Sequence, residues 1–189
     1  MNHTFDLVPF SRSECPNITT TTVLQIHYPF LRIQFAVRGP DLVAIAFPEI
    51  HPGLPPSRKD LLWQHTCFEA FFGKRNHPNY WELNLSPSGD WNFYRLSGYR
   101  KDLEADPSIQ SPPVLHAGHE SRDLYRIEAK IDLSPLFAEQ QITDLQIGLT
   151  AVIETQDGKK SYWALRHCGE QPDFHLRESF IDWSENWSR

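Results

Sequence analysis

Between Tyr80 and Arg100 the chain reads YWELNLSPSGDWNFYRLSGYR, two arms of alternating apolar and polar residues around a cluster of turn formers. Alternation with period two suits a strand with one face buried. Ser86-Pro87-Ser88-Gly89-Asp90 supplies what a tight turn needs: a preset φ at proline, tolerance of positive φ at glycine, and short polar side chains that bond the local backbone. The stretch therefore predicts a β-hairpin. A turn centred symmetrically on Ser88-Gly89 would set Leu85 opposite Asn92, Leu83 opposite Tyr94 and Trp81 opposite Leu96 on an apolar face. Ser86 would then face Trp91, Asn84 face Phe93 and Glu82 face Arg95 on the other. Register matters here, because a slip of one residue mixes the two sets.

The preceding segment, Cys67 to Phe72, extends the same pattern. Phe68, Ala70 and Phe72 belong with the core, which leaves Cys67, Glu69 and Phe71 on the side of Glu82. Glu69, Glu82 and Arg95 would then form a row across three strands. As a plain cross-strand ion pair the row is worth roughly 0.2–1 kcal/mol. A second glutamate abreast of the first is repulsive, so a ligand on this face is the competing reading.

The rest of the chain repeats the strand signal. Thr4–Phe10, Thr20–His27, Leu31–Val37 and Leu42–Phe47 read as strands, the last two separated by the turn Arg38-Gly39-Pro40-Asp41. Val114–Ala117, Leu124–Leu133, Leu145–Glu154, Ser161–Arg166 and Glu178–Trp183 follow, with one helical turn expected at Ser134–Gln140, where Ser134 would cap and Pro135 would lead. The 15 prolines and 13% aromatic residues favour strands and loops over helices. The expected fold class is all-β, an antiparallel β-sandwich of the jelly-roll kind, with residues 1–189 as one domain.

A net charge of −6 and no cluster of Lys or Arg argue against nucleic acid and anionic membranes as partners. The three scattered cysteines lack a C-x-x-C, and the N-terminus lacks a basic stretch leading into an apolar run. A reduced, cytoplasmic protein is expected. No nucleophile elbow, phosphate-binding glycine loop or Cys/His zinc quartet occurs. His116-x-x-His119, and His167 with His175, are scattered loop histidines, and Cys67 beside His65 reads as a small buried hydrophobe. No catalytic residue, metal or cofactor is assigned. The remaining signal is aromatic rings in polar company: Trp63, Trp91 and Trp163 beside amides and charges. Together with Glu69, Asn84 and Arg95 they suit a sugar, whose apolar face stacks on rings while its hydroxyls bond carboxylates and amides.

The strings LLWQHTCFEAFF, YWELNLSPSGDWNFYR and SYWALRHCGEQPDFHLRESF resemble the DOMON-like domains, β-sandwiches related to family-nine carbohydrate-binding modules. The resemblance runs roughly from Trp63 to Trp183. It implies a sugar-stacking role for Trp63, a hydroxyl-binding role for Glu69 across a W-x(5)-E spacing, a ligand-facing Arg95, and Trp163 as a second stacking ring. Haem-binding members hold iron with Met and His, and the sole methionine here is Met1, so no haem is expected. The implied function is non-catalytic binding of a small carbohydrate-like ligand on a concave sheet face by Trp63, Glu69, Glu82, Asn84, Trp91, Arg95, Trp163 and His167. The alternatives are a sugar-acting enzyme with Glu69 and Glu82 as its acid/base pair, or a protein-interaction module that uses exposed aromatics.

Overall fold

The structure is a computed structural model that describes residues 2–50 and 53–183. Its strands, in chain order, are β1 (Asn2–Pro9), β2 (Thr19–His27), β3 (Phe30–Arg38), β4 (Cys67–Lys74), β5 (Tyr80–Leu85), β6 (Trp91–Leu96), β7 (Glu104–Ala105), β8 (Val114–Ser121), β9 (Leu124–Asp132), β10 (Leu145–Glu154), β11 (Lys160–Ala164) and β12 (Ile181–Asp182). Every pairing between these strands is antiparallel. Their order is β7-β6-β5-β4-β10-β11-β1-β2-β3-β9-β8, with β12 beside β10.

Strand β1 turns this path into a sandwich. Asn2 to Leu7 pair with β2, whereas Val8 and Pro9 pair with Ala164 and Trp163 of β11. One strand thus serves both sheets, and the two layers fold over a shared core. Leu31, Ile33, Phe35 and Val37 of β3 alternate inward from the first sheet. They meet Phe68, Ala70 and Phe72 of β4 and Leu149 and Ala151 of β10; the Phe35 and Phe68 rings lie 5.2 Å apart. Each of these Leu, Ile, Val and Phe side chains contributes about 1.5–3 kcal/mol on burial. The protein is an antiparallel all-β sandwich. Among the described residues no helix is long and apolar enough to cross a membrane.

Several local expectations need correction. The turn at Arg38–Asp41 does not lead into a strand at Leu42–Phe47; Pro40–Ala44 is a 3-10 helix, followed by a single bridge from Ile45 to Thr155. Proline in its first turn presets φ and needs no hydrogen-bond partner there, and Leu42 is thereby turned into the core. Within the helical turn expected at Ser134–Gln140, the N–H groups of Leu136 and Phe137 both donate to Leu133 O at 2.9 Å, and a separate 3-10 helix follows at Glu139–Asp144. The last expected strand, Glu178–Trp183, is shorter: Ile181 and Asp182 pair with β10, and Trp183 N–H donates to Leu145 O at 2.6 Å. His116 and His119 lie on edge strand β8, not in a loop, and His119 packs edge-on against Phe47 and Tyr125, each 5.2 Å away. Two irregularities in the β8 pairing blunt that edge as bulges do.

The central hairpin forms where expected but in a different register. Ser86 N–H donates to Asp90 O and Gly89 N–H to Ser86 O, both at 2.9 Å, and Gly89 has φ 86. Three residues, Pro87-Ser88-Gly89, therefore make the turn, with glycine in the left-handed position that ends such loops. The axis falls on Ser88, not between Ser88 and Gly89. Leu85 pairs with Trp91, Leu83 with Phe93, Glu82 with Tyr94 and Trp81 with Arg95. Glu82 keeps its expected face, but Trp91 and Arg95 change sides.

Candidate functional site

The second sheet is buried on both faces: all residues of β5 and all but the last of β4 are buried. Its inner face packs on the first sheet. Its outer face carries a separate apolar cluster of Phe71, Tyr80, Tyr94, Leu96 and Phe180, joined by Trp63 and Phe174. Gly148 on β10 makes room for this layer, since a Cβ there would stand 3.0 Å from the Phe180 ring.

Polar residues interrupt the same face in two rows set by the pairing. Thr150, Glu69, Asn84 and Asn92 form one; Gly148, Phe71, Glu82 and Tyr94 form the next. Glu69 and Glu82 are thus diagonal neighbours, whose positions lie roughly 7–8 Å or somewhat less apart, rather than the direct pair expected. Above them is a cavity of about 330 Å³. The two glutamates with Leu96 and Val152 line its sheet side, Trp63 comes from the 3-10 turn before β4, Tyr162 from β11, Arg100 and Leu103 from the loop after β6, and Pro172, Phe174 and His175 from the loop after β11.

Each glutamate is held by one neutral donor. Thr150 Oγ1 donates to Glu69 Oε2 at 2.9 Å, and Asn84 Nδ2 donates to Glu82 Oε1 at 2.8 Å. Burial pushes Glu69 up to about 8, and the charge of Glu82 pushes the same way against the Thr150 bond. Burial likewise raises Glu82 to about 7, opposed by Asn84 and by Arg100. His175 stands over Glu82, with Nε2 3.9 Å from Oε2 and Nδ1 2.8 Å from the Tyr80 hydroxyl. Burial, with Arg100 nearby, drives His175 down to about 4, so the ring is neutral at pH 7. Arg100 is itself paired with Asp173 at 2.9 Å.

The structure brings together three of the eight sequence candidates on the cavity wall: Trp63, Glu69 and Glu82. Asn84 lies beneath, fully buried, and orients Glu82. Trp91 is 2% exposed in the inter-sheet core, with the Arg58 guanidinium 4.3 Å from its ring. Trp163 is also 2% exposed in that core, its indole N–H donating to Ser161 Oγ. Neither ring has a face free for a ligand. Arg95 lies on the face of Trp81, exposed at the sheet margin, 3.2 Å from Glu104. His167 hydrogen-bonds the Val8 carbonyl at 2.9 Å and does not line the cavity. Arg95→Ala should therefore change stability by less than about 1 kcal/mol, and titration calorimetry should show unchanged affinity for any cavity ligand. A tenfold loss would return Arg95 to the site.

Sequence reasoning missed Arg100, Tyr162, Phe174 and His175 as members of one site. They lie on segments distant in the chain, and no local pattern announces that two loops fold over the same sheet face. Among the described residues no group of three or more His, Cys, Asp and Glu is placed to hold a metal ion.

No family model matches the chain, and no curated protein does. Among solved structures it is similar to a candidate carbohydrate-binding protein from Bacteroides uniformis ATCC 8492, with 11% identity and a TM-score of 0.65 over 95% of this chain and 84% of the other. The likeness is one of fold. A family 9 carbohydrate-binding module from Caldicellulosiruptor kristjanssonii, solved with cellotriose, also matches, with 11% identity and a TM-score of 0.46 over 86% of this chain and 72% of the other.

Proposed function

We propose that the protein binds a small saccharide in the cavity on the outer face of its second sheet. The observation that carries this reading is the lining itself: Trp63, Tyr162 and Phe174 as rings, with Glu69 and Glu82 as buried hydroxyl-bonding groups between them. Sugars need both, a ring against their C–H face and charged or amide groups at their hydroxyls. A volume of about 330 Å³ is at the low end of ligand pockets, about 300–1,000 Å³, and suits one or two sugar units better than a polymer chain. The likeness in fold to a candidate carbohydrate-binding protein over 95% of the chain supports the same reading.

A second reading, a sugar-acting enzyme, draws on the two carboxyls raised towards neutrality, since an acid held protonated near pH 7 can donate a proton to a leaving oxygen. Incubation with aryl glycosides would expose it through release of the phenol.

Calorimetric or NMR titration with a panel of mono- and disaccharides tests the binding reading. Trp63→Ala should weaken the best ligand at least about tenfold, the scale of losing one stacked ring or one charged-group bond. Because Trp63 is only half-buried on a short turn, its melting temperature should hold. Full affinity in the folded variant, or no binding by any saccharide to the wild type, would refute the reading.

A further inference from the structure

The cavity floor carries two acidic groups that, among the described residues, form no ion pair with a lysine or arginine. Glu69 and Glu82 are 3% and 4% exposed, yet each uses one oxygen on one neutral donor, Thr150 or Asn84. Among the described residues Glu69 Oε1 has no hydrogen-bond partner, and Glu82 Oε2 has the neutral His175 ring at 3.9 Å as its one polar neighbour. Both residues line the cavity, so two nine-tenths-buried carboxyls each leave one oxygen without a hydrogen bond at its floor.

The neighbouring charges do not supply the missing cation. Arg100, on the loop after β6, acts on Glu82 only through space and makes its ion pair with Asp173 from the loop after β11. His175, also on that loop, is neutral at pH 7. Tyr80, Tyr94 and Cys67, the titratable residues of the sheet nearby, are all raised by burial and stay uncharged. Burying a carboxylate without a counter-charge costs several kcal/mol. A ligand bearing a cation would offset that cost, whereas a hydroxyl would offset only part of it.

We propose that the ligand is an amino sugar with a free ammonium group, seated between Glu69 Oε1 and Glu82 Oε2 with its ring against Trp63. This rests on the saccharide reading above and narrows it. An ammonium offers three donors and a positive charge on one small group, enough to reach both diagonal carboxyls at once. Charge-assisted bonds of this kind are roughly twice as strong as neutral ones.

The test is a calorimetric titration with glucosamine, galactosamine and mannosamine, each beside its neutral parent hexose and its N-acetyl derivative. One of the amines should bind at least about tenfold more tightly than its parent, and acetylation, which removes the charge and keeps the ring, should abolish the gain. Glu69→Gln and Glu82→Gln, which keep the shape and the Thr150 and Asn84 bonds, should each erase most of the preference for the amine. Equal affinity for an amine and its parent overturns the proposal and leaves saccharide binding standing. A preference that survives both Gln variants also overturns it, because the charge would then be read elsewhere. Failure of all nine sugars, with disaccharides failing too, overturns both.

Discussion

Replacing Glu69 with glutamine is expected to stabilise the ligand-free protein above neutral pH. Glu69 titrates near its ordinary 4.5 in an unfolded chain and is raised to about 8 in the folded one. The folded state therefore holds a proton that the unfolded state releases, and stability falls as pH rises from 4.5 through 8. Glu82, raised to about 7, adds to the same decline. His175 acts oppositely but in another window: its folded value of about 4 lies below the ordinary 6.5, so it costs stability only as pH falls below 6.5. His175 therefore adds little between pH 6.5 and 8.5, the window in which the glutamates titrate. A fully buried carboxyl displaced this far represents on the order of 4 kcal/mol by pH 8.5. Glutamine can still accept the Thr150 bond and never ionises. Urea unfolding of wild type and Glu69→Gln at pH 6.5 and 8.5 should show a falling wild type and a flatter variant, more stable at the higher pH by roughly 2–4 kcal/mol. Parallel profiles would mean that the buried pair does not titrate in this range.

Trp163→Ala should cost about 3–5 kcal/mol, the usual loss for truncating a large buried aromatic. Its ring sits 2% exposed between the sheets, on the strand that meets both β10 and β1, so the cavity opens where the two layers are joined. For a chain of this length the melting temperature should drop on the order of 10 °C. Saccharide binding by the folded protein should persist, because Trp163 faces away from the outer cavity. Circular dichroism melts and titration below the transition would check both halves. A small thermal change with lost binding would put Trp163 back on the ligand face.

The contrast between Trp63 and Trp163 shows why a ring's polar neighbours in sequence are a poor guide to its surroundings. Both stand beside amides and charges along the chain, but a 3-10 turn carries Trp63 over the outer face, whereas strand alternation sets the side of Trp163. Trp163 pairs with Ala151, whose face is the core. The hairpin repeats the lesson more finely. Its turn residues were legible, but three of them rather than two make the bend. That one-residue difference moves Arg95 from beside Glu82 to beside Trp81 and buries Trp91.

What the sequence alone determined is the class of the fold and the polarity of its strands: alternating runs cut by proline and glycine can bury an apolar face only by stacking sheets, and Glu69 and Glu82 fall on the outer side of any register that keeps Phe68, Phe72, Leu83 and Leu85 together. What only the tertiary structure decided is that this outer side is also buried. The loops holding Arg100 and His175 are distant from the glutamates in the chain, and only their folding onto one sheet face removes water from the carboxyls. That exclusion of water raises their proton affinity and turns a row of surface charges into the floor of a cavity.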